Sequence, residues 1–380
     1  MSFSLTELLL SFLIFQLLFI GAFLGTLRRG KRLSHALLGG FFVLFGLNLL
    51  DALLLLRGVY FRCPAWALWG SNMALLFGPL LYVYTQSVIS RDFRLRPVYW
   101  LHAGPFIVLT VLAQLGYHQQ SADGQRQILR AVLSDGLPAG FAVVSALIFG
   151  HFLTYLLLAL RQIRRYRRVL TSQFSDLQHK NLNWLSSIIG FFLLFFWLGL
   201  LRGFVAYTPL ARYQYVVLLI LLLALFWFTN RFLLSALRSP ERFAGVATAE
   251  LDQLAGTPAP AADSAASEHA ALLEQLNRYM RTQKPYLEPE LTLDELAGRL
   301  GTRPKRLSAA LNDGLGQHFF DYVNRYRIDE AKRLLTHPPD PKTTVLEVMY
   351  EVGFNSKSSF NTLFRKYTGL TPSEFKKQAG

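Results

Sequence analysis

The chain has 380 residues, of which 52% are hydrophobic, 14% aromatic and only 17% charged. Soluble globular proteins carry about 25% charged residues, so the composition argues against a wholly soluble protein. The net charge of +15 is not in itself a nucleic-acid signature, because residues 1–269 hold +11 of it and residues 270–380 only +4; basic loops in an apolar region report membrane topology first.

The opening stretch, MSFSLTELLLSFLIFQLLFIGAFLGTL, has no basic n-region and no small-residue cleavage site, and its apolar run is too long for a signal peptide. It reads as a retained membrane helix. A bilayer core of about 30 Å needs roughly 20 apolar residues as helix. Seven stretches qualify, at about 4–27, 34–56, 64–90, 97–117, 137–160, 182–207 and 213–234. The fourth is the weakest, because His102, Gly104 and Pro105 interrupt it, and a kink is expected there. Cys63, the single cysteine, lacks an intramolecular disulfide partner and cannot build a thiolate metal centre.

Direction follows from the loops. Arg28, Arg29, Lys31, Arg32, Arg91, Arg94, Arg96, Arg161, Arg164, Arg165, Arg167, Arg168 and Lys180 fall on the side of the C-terminal tail. The opposite loops hold Arg57, Arg62, Arg126, Arg130 and Arg212. The positive-inside rule then puts the N-terminus outside and the C-terminal domain in the cytoplasm of a multi-pass inner-membrane protein. The run RQIRRYRR suits a lipid-facing stop signal better than a nucleic-acid patch.

Ionisable groups inside spans are costly and carry a functional expectation. Asp51, Asn72 and Arg202 fall in the outward half, and an Asp51–Arg202 pair there is a candidate site for a polar ligand. The same residues also suit a structural ion pair, or headgroup-level snorkelling by Arg202. His102 and His151 titrate near neutrality when unperturbed, but hydrogen-bonded structural roles explain them as well.

Residues 243–269, rich in Ala, Gly, Ser, Thr and Pro, read as a flexible linker. Residues 270–380 read as an all-α domain. Thr292 with Glu295 makes a capping box, and Leu293, Leu296, Ala297 and Leu300 make one helix face, which Gly301 ends. A second helix starts near Arg303, with Pro304 in its first turn. The pattern recurs: Val345, Val348, Met349 and Val352 form a face, Gly353 turns, and Asn355 or Ser356 caps a helix that Gly369 stops. In that helix Phe360, Leu363, Phe364 and Tyr367 form an apolar stripe opposite Lys357, Ser358, Asn361, Thr362 and Arg365. This is helix-turn-helix logic, in which the second helix enters the major groove of DNA. A helix at 318–335 lies between the units and spans about 27 Å. With short turns, a strut of that length suits readers of successive grooves, about 34 Å apart.

At this point the residues resemble a known family. LTLDELAGRLGTRPKRLSAALNDGLGQHFFDYVNRYRIDEAKRLL and TTVLEVMYEVGFNSKSSFNTLFRKYTGLTPSEFKK are similar to the DNA-binding domain of the AraC/XylS bacterial transcription regulators, over residues 284–377. The whole arrangement also resembles a membrane-anchored subset with a multi-span sensor, by GPLLYVY at 78–84 and HAGPF at 102–106. The resemblance implies seven helices, two helix-turn-helix units, and double-stranded DNA and RNA polymerase as partners. It implies base-facing positions at Lys305, Arg306, Ser308 and Ala309 in the first reader helix. In the second it implies Lys357, Ser358, Asn361 and Thr362, with Arg365 and Lys366 near phosphate. Pro304 and Ala309 depart from many members, so the first reader is expected mainly to contact phosphate through Lys305 and Arg306.

The expected protein is therefore an all-α, seven-span bundle carrying a DNA-binding domain: a membrane-tethered transcription regulator that senses an unknown signal and can pair as a homodimer. The alternatives are a membrane enzyme or transporter with a regulatory tail, and a passive anchor released by proteolysis in the linker. No HExxH, Walker loop or Cys/His spacing points to catalysis, a cofactor or a metal.

Overall fold

The computed structural model describes residues 4–27, 31–90, 93–133, 139–176, 182–206, 208–238, 265–340 and 342–379. Arg28, Arg29, Arg91, Lys180 and most of the expected linker lie outside the described residues. The described residues are helical and form no β-strand; one isolated antiparallel bridge joins Phe174 to Thr292. The chain divides into two compact units, Met1–Ile163 with Asn183–Ala249, and Arg164–Leu182 with Glu250–Gly380. The second unit thus takes in a stretch that the sequence reading had left in the membrane domain.

In the first unit the helices are α1 (Leu5–Thr26), α2 (Arg32–Leu56), α3 (Val59–Arg62), α4 (Trp69–Asn72), α5 (Ala74–Ile89), α6 (Gly104–Ala113), α7 (Ala122–Leu133), α8 (Ala139–Gln173), α9 (Asn183–Ala206) and α10 (Gln214–Arg238). Seven helical segments are long and apolar enough to cross a membrane: Leu5–Thr26, Arg32–Leu56, Pro64–Ile89, Pro97–His118, Val143–Gln173, Asn183–Val205 and Gln214–Leu237. Six of them match the apolar stretches of the sequence to within a few residues, while the fifth, read as 137–160, starts later and runs on to Gln173. The fourth is irregular, with a 3-10 stretch before α6 and a π turn after it, where His102, Gly104 and Pro105 disturb the regular ladder.

α1 and α2 meet through glycine. A Cβ on Gly21 would stand 2.9 Å from the Gly39 carbonyl oxygen and 2.5 Å from Val43 Cγ2, so the backbones approach as small-residue crossings do in membranes. Behind this contact Phe41, Phe45, Phe77 and Phe192 interlock, with centroids 5.0 Å apart for Phe41–Phe192 and 5.3 Å for Phe45–Phe77. Meanwhile Phe15, Trp197, Phe204 and Trp227 are exposed. Apolar side chains thus fill the interior and also cover the surface. α7 was not anticipated; its amphipathic residues pack Leu129 with Tyr60 and Tyr117, and Arg126 Nε donates to the Phe61 carbonyl at 3.0 Å.

The second unit contains α11 (Ala265–Gln283), α12 (Leu293–Arg299), α13 (Pro304–Ala309), α14 (Phe319–Thr336), α15 (Val345–Glu351), α16 (Lys357–Thr368) and α17 (Pro372–Ala379). α11 begins inside the segment read as linker. α14 serves two cores. Its first half gives Phe319, Tyr322 and Val323 to a cluster with Leu276, Leu296 and Leu307. Its second half gives Ile328, Ala331 and Leu334 to a cluster with Val348, Phe360 and Phe364.

Candidate nucleic-acid interface

Each core carries one helix–turn–helix pair. In the first, Thr292 Oγ1 accepts from the Glu295 N–H at 3.2 Å while Glu295 accepts from the Thr292 N–H at 2.9 Å, fixing the start of α12. Gly301 makes the turn at φ +65°, in the left-handed region open to glycine. Pro304 then opens α13, whose missing N–H costs nothing in a first turn. A π turn, Ala310–Gly314, follows it directly. Leu307 is fully buried, whereas Lys305 and Arg306 are exposed and Ser308 and Ala309 half-buried. The Ser308 hydroxyl accepts from Asn312 Nδ2 at 3.3 Å, so it is already engaged within its own helix.

The second helix pair repeats the design. Thr344 and Glu347 form the reciprocal cap of α15, with the Glu347 N–H donating at 3.1 Å and Glu347 accepting from the Thr344 N–H at 2.6 Å. Gly353 turns at φ +86°, and Ser356 caps α16 by accepting from the Ser359 N–H at 3.3 Å. Phe360, Leu363 and Phe364 are buried. Lys357, Ser358, Thr362 and Arg365 are exposed on the other side, and Asn361 is half-buried among them. Gly369, at φ +79°, ends the helix.

Lys366 stands apart from this set. Its Nζ lies 2.7 Å from Asp321 Oδ1 on α14, and the Tyr367 hydroxyl donates to the same oxygen at 3.2 Å. The Asp321 carboxylate pushes the lysine pKa up, so the ammonium stays charged while bracing α16 against α14. Elsewhere Arg299 grips Glu288 with two bonds of 2.6 and 2.7 Å, which holds the Glu288 carboxyl below its usual range. Glu288, Glu290 and Glu295 line an open hollow with Leu291 and Asn355. Three carboxylates make that stretch of surface unsuited to phosphate.

Sequence reading missed the centre of the domain. Arg327 is 1% exposed. Its Nε donates to the Tyr286 carbonyl at 2.7 Å, and its Nη2 donates to the carbonyls of Glu288 at 2.6 Å and Pro289 at 3.2 Å. Its guanidinium also faces the Phe354 ring at 5.6 Å. Burial pushes its pKa down to about 10, still far enough above neutrality to keep the charge. The signal was present: Arg327 sits on the apolar face of α14, one residue before Ile328 and four before Ala331.

In the first unit the expected pairing of Asp51 with Arg202 does not form. Asp51 is buried, and its two oxygens accept from the Tyr60 hydroxyl at 2.7 Å and the Ser71 hydroxyl at 2.6 Å. Arg202 is exposed on α9, and Asn72 is buried on α4. The short helices α3 and α4 bring two hydroxyls to the carboxylate, which satisfies it without a cation. His102 Nδ1 lies 2.7 Å from the Tyr155 hydroxyl, and neither ring nitrogen of His151 has a hydrogen-bond partner. Among the described residues no group of three or more His, Cys, Asp or Glu side chains could hold a metal ion.

Residues 296–378 match the family described as a helix-turn-helix domain. An uncharacterized transcriptional regulatory protein of Bacillus subtilis, YesN, is 35% identical over 24% of this chain and 25% of its own length. The uncharacterized regulator YtdP of the same organism is 33% identical over 24% of this chain and 11% of its own. The regulator GlxA of Rhizobium meliloti is 28% identical over 32% of this chain and 35% of its own. The matched part therefore spans about a third or less of these relatives. Two capped helix pairs joined by α14, together with these matches, identify the C-terminal domain as a helix-turn-helix domain of the AraC type, related to those of HTH-type transcriptional regulators.

Proposed function

We propose that the chain is a membrane-tethered, sequence-specific transcription regulator, not an enzyme, whose apolar unit senses a signal and whose C-terminal domain binds double-stranded DNA in the cytoplasm. The observation that carries the DNA reading is α16, with buried Phe360, Leu363 and Phe364 on one side and Lys357, Ser358, Thr362 and Arg365 exposed on the other. Lys357, Ser358, Asn361 and Thr362 read bases, and Arg365 holds phosphate. Lys305 and Arg306 on α13 position the domain by phosphate contact, because Ser308 is held by Asn312 and Ala309 offers only a methyl group.

Membrane embedding is supported by seven apolar helices whose outward surfaces carry Phe, Leu and Trp. Tethering raises the local concentration of two domains on paired sites, which favours a homodimer on DNA. RNA polymerase is the further partner such a regulator requires. Asp51, Asn72 and Arg202 remain a candidate ligand region only as separate contributors, since Asp51 and Arg202 form no pair.

Crosslinking and sequencing of DNA bound to the tagged full-length protein in its own cell tests this, beside a Lys357→Ala, Asn361→Ala double variant. Discrete sites present in the wild type and lost in the variant are expected. Full-length protein that is present in the membrane and yet enriches no discrete site overturns the proposal.

A further inference from the structure

We propose that residues 173–176, at the end of the fifth apolar helix, form a transmission contact seated on the linking helix α14, through which a change in α8 resets the two reading helices. This rests on the DNA-binding reading above.

The contact lies within the second compact unit, which includes Arg164–Leu182. Phe174 pairs with Thr292 as an isolated bridge and is 7% exposed; Ser175 is 2% exposed. The Ser175 hydroxyl donates to the Leu291 carbonyl at 2.6 Å, and its N–H donates to the same oxygen at 3.4 Å. The Ser175 carbonyl accepts from Asn324 Nδ2 at 2.9 Å and from Arg327 Nη1 at 3.5 Å. Arg327 Nη2 completes the set by donating to Ser175 Oγ at 3.2 Å. A solvated loop between two membrane helices has no need of such burial, and ordering it costs entropy that these bonds must offset.

Its position gives the contact a role. Asn324 and Arg327 fall at the seam of α14, between the residues given to the first core and those given to the second. Among the described residues the hydrogen bonds of Ser175 go to Leu291, Asn324 and Arg327 and to neither reading helix, yet these partners position both. Leu291 and Thr292 lead into α12. Arg327 holds three carbonyls ahead of that helix and faces Phe354 in the turn before α16. Displacing Ser175 takes a partner from buried donors of Asn324 and Arg327, and because leaving such groups unsatisfied is costly, the seam is expected to shift with it. α8 runs unbroken from Ala139 to Gln173, one residue short of the bridge. A signal that favours one placement of α8 therefore changes DNA affinity, and by linkage DNA binding favours that placement by the same factor.

The test uses the full chain in isolated membranes with Cys63→Ser, Phe174→Cys and Thr292→Cys. Bridged residues on paired backbones lie within disulfide reach. Binding is measured on genomic fragments selected with the wild-type chain, with the disulfide formed and then reduced, and with Ser175→Trp, which cannot occupy so buried a site. The expected result is rapid disulfide formation, and DNA affinities of the locked and undocked forms that differ on the order of fivefold or more. If Ser175→Trp fails to accumulate, the locked and reduced forms of the cysteine pair, which add no bulk, make the comparison. Cysteines that stay unpaired under oxidant overturn the contact. A disulfide that forms while all species bind DNA equally overturns the coupling. A wild-type chain that binds no DNA overturns the DNA-binding reading itself, and the coupling falls with it.

Discussion

Neighbouring cations on α16 have different work to do. Arg365 is exposed and faces outward, while Lys366 is bonded to Asp321. Arg365→Ala should lower the slope of log affinity against log salt by about one, the signature of one lost phosphate contact. Lys366→Ala should leave the slope nearly unchanged and cost up to about 1 kcal/mol of stability, as a partly exposed ion pair does. Titration of a selected DNA fragment at several salt concentrations separates the two. Glu330 supplies a pH prediction. Its carboxylate lies 2.9 Å from Arg333 and 3.0 Å from Lys284, and these cations, Arg333 first, hold its pKa below the usual range. A depressed carboxyl contributes stability above its unfolded value of about 4.3, and that contribution is lost as pH falls through the lower folded value. Wild type should therefore exceed Glu330→Gln at neutral pH by about 1 kcal/mol. Once the pH has fallen below that lower folded value, the two should converge in chemical denaturation. The exposure of Lys357, Ser358, Thr362 and Arg365 was legible because an apolar stripe at i, i+3, i+4 and i+7 defines its own opposite face. The ion pair of Lys366 with Asp321, 45 residues earlier, was not legible, because it leaves no trace in local periodicity.

Helices, caps and turns were the most legible level. Thr292 and Ser356 cap as their spacing predicts, Thr344 caps α15 in the same way, and Gly301, Gly353 and Gly369 all adopt positive φ. These glycines are not equivalent. A Cβ on Gly353 would stand 2.7 Å from the Leu287 carbonyl oxygen and 2.9 Å from that of Tyr286, whereas one on Gly301 would meet nothing within 4 Å. Gly301→Ala should cost about 1 kcal/mol, from backbone strain alone. Gly353→Ala should cost more and weaken DNA binding, because the Tyr286 carbonyl it crowds is one that Arg327 holds, and Leu287 is next to it. Thermal unfolding followed by limited proteolysis of the second unit checks the order. Sequence periodicity missed α7, whose twelve residues are too polar to resemble a span. It also missed the π turn after α13, since one extra residue in a turn shifts the pattern no more than chance does.

At the scale of the whole chain the lone cysteine is a reporter. Cys63 is exposed, beside α3, in a loop expected to face outward. A membrane-impermeant maleimide should label it in intact spheroplasts, and Cys63→Ser should abolish the signal. Labelling that appears only after permeabilisation would invert the topology. The seven apolar helices were readable because each is a run of about twenty mostly apolar residues, long enough to span a bilayer core and plain in composition. The membership of residues 164–182 in the second unit was not readable, because it depends on what Ser175 meets 116 residues later at Leu291.

That discontinuity bears on synthesis and on cleavage. Residues 173–176 leave the ribosome well before Asn324 and Arg327 exist, so they wait as an unfilled half of a site while two more apolar helices are made. A cut anywhere in residues 243–264 would break the covalent tether yet leave Ser175 lodged among Leu291, Asn324 and Arg327. The severed domain would stay with the apolar unit until that plug was drawn, and a domain expressed from residue 265 onward would carry an empty socket, with Arg327 short of a partner at its centre.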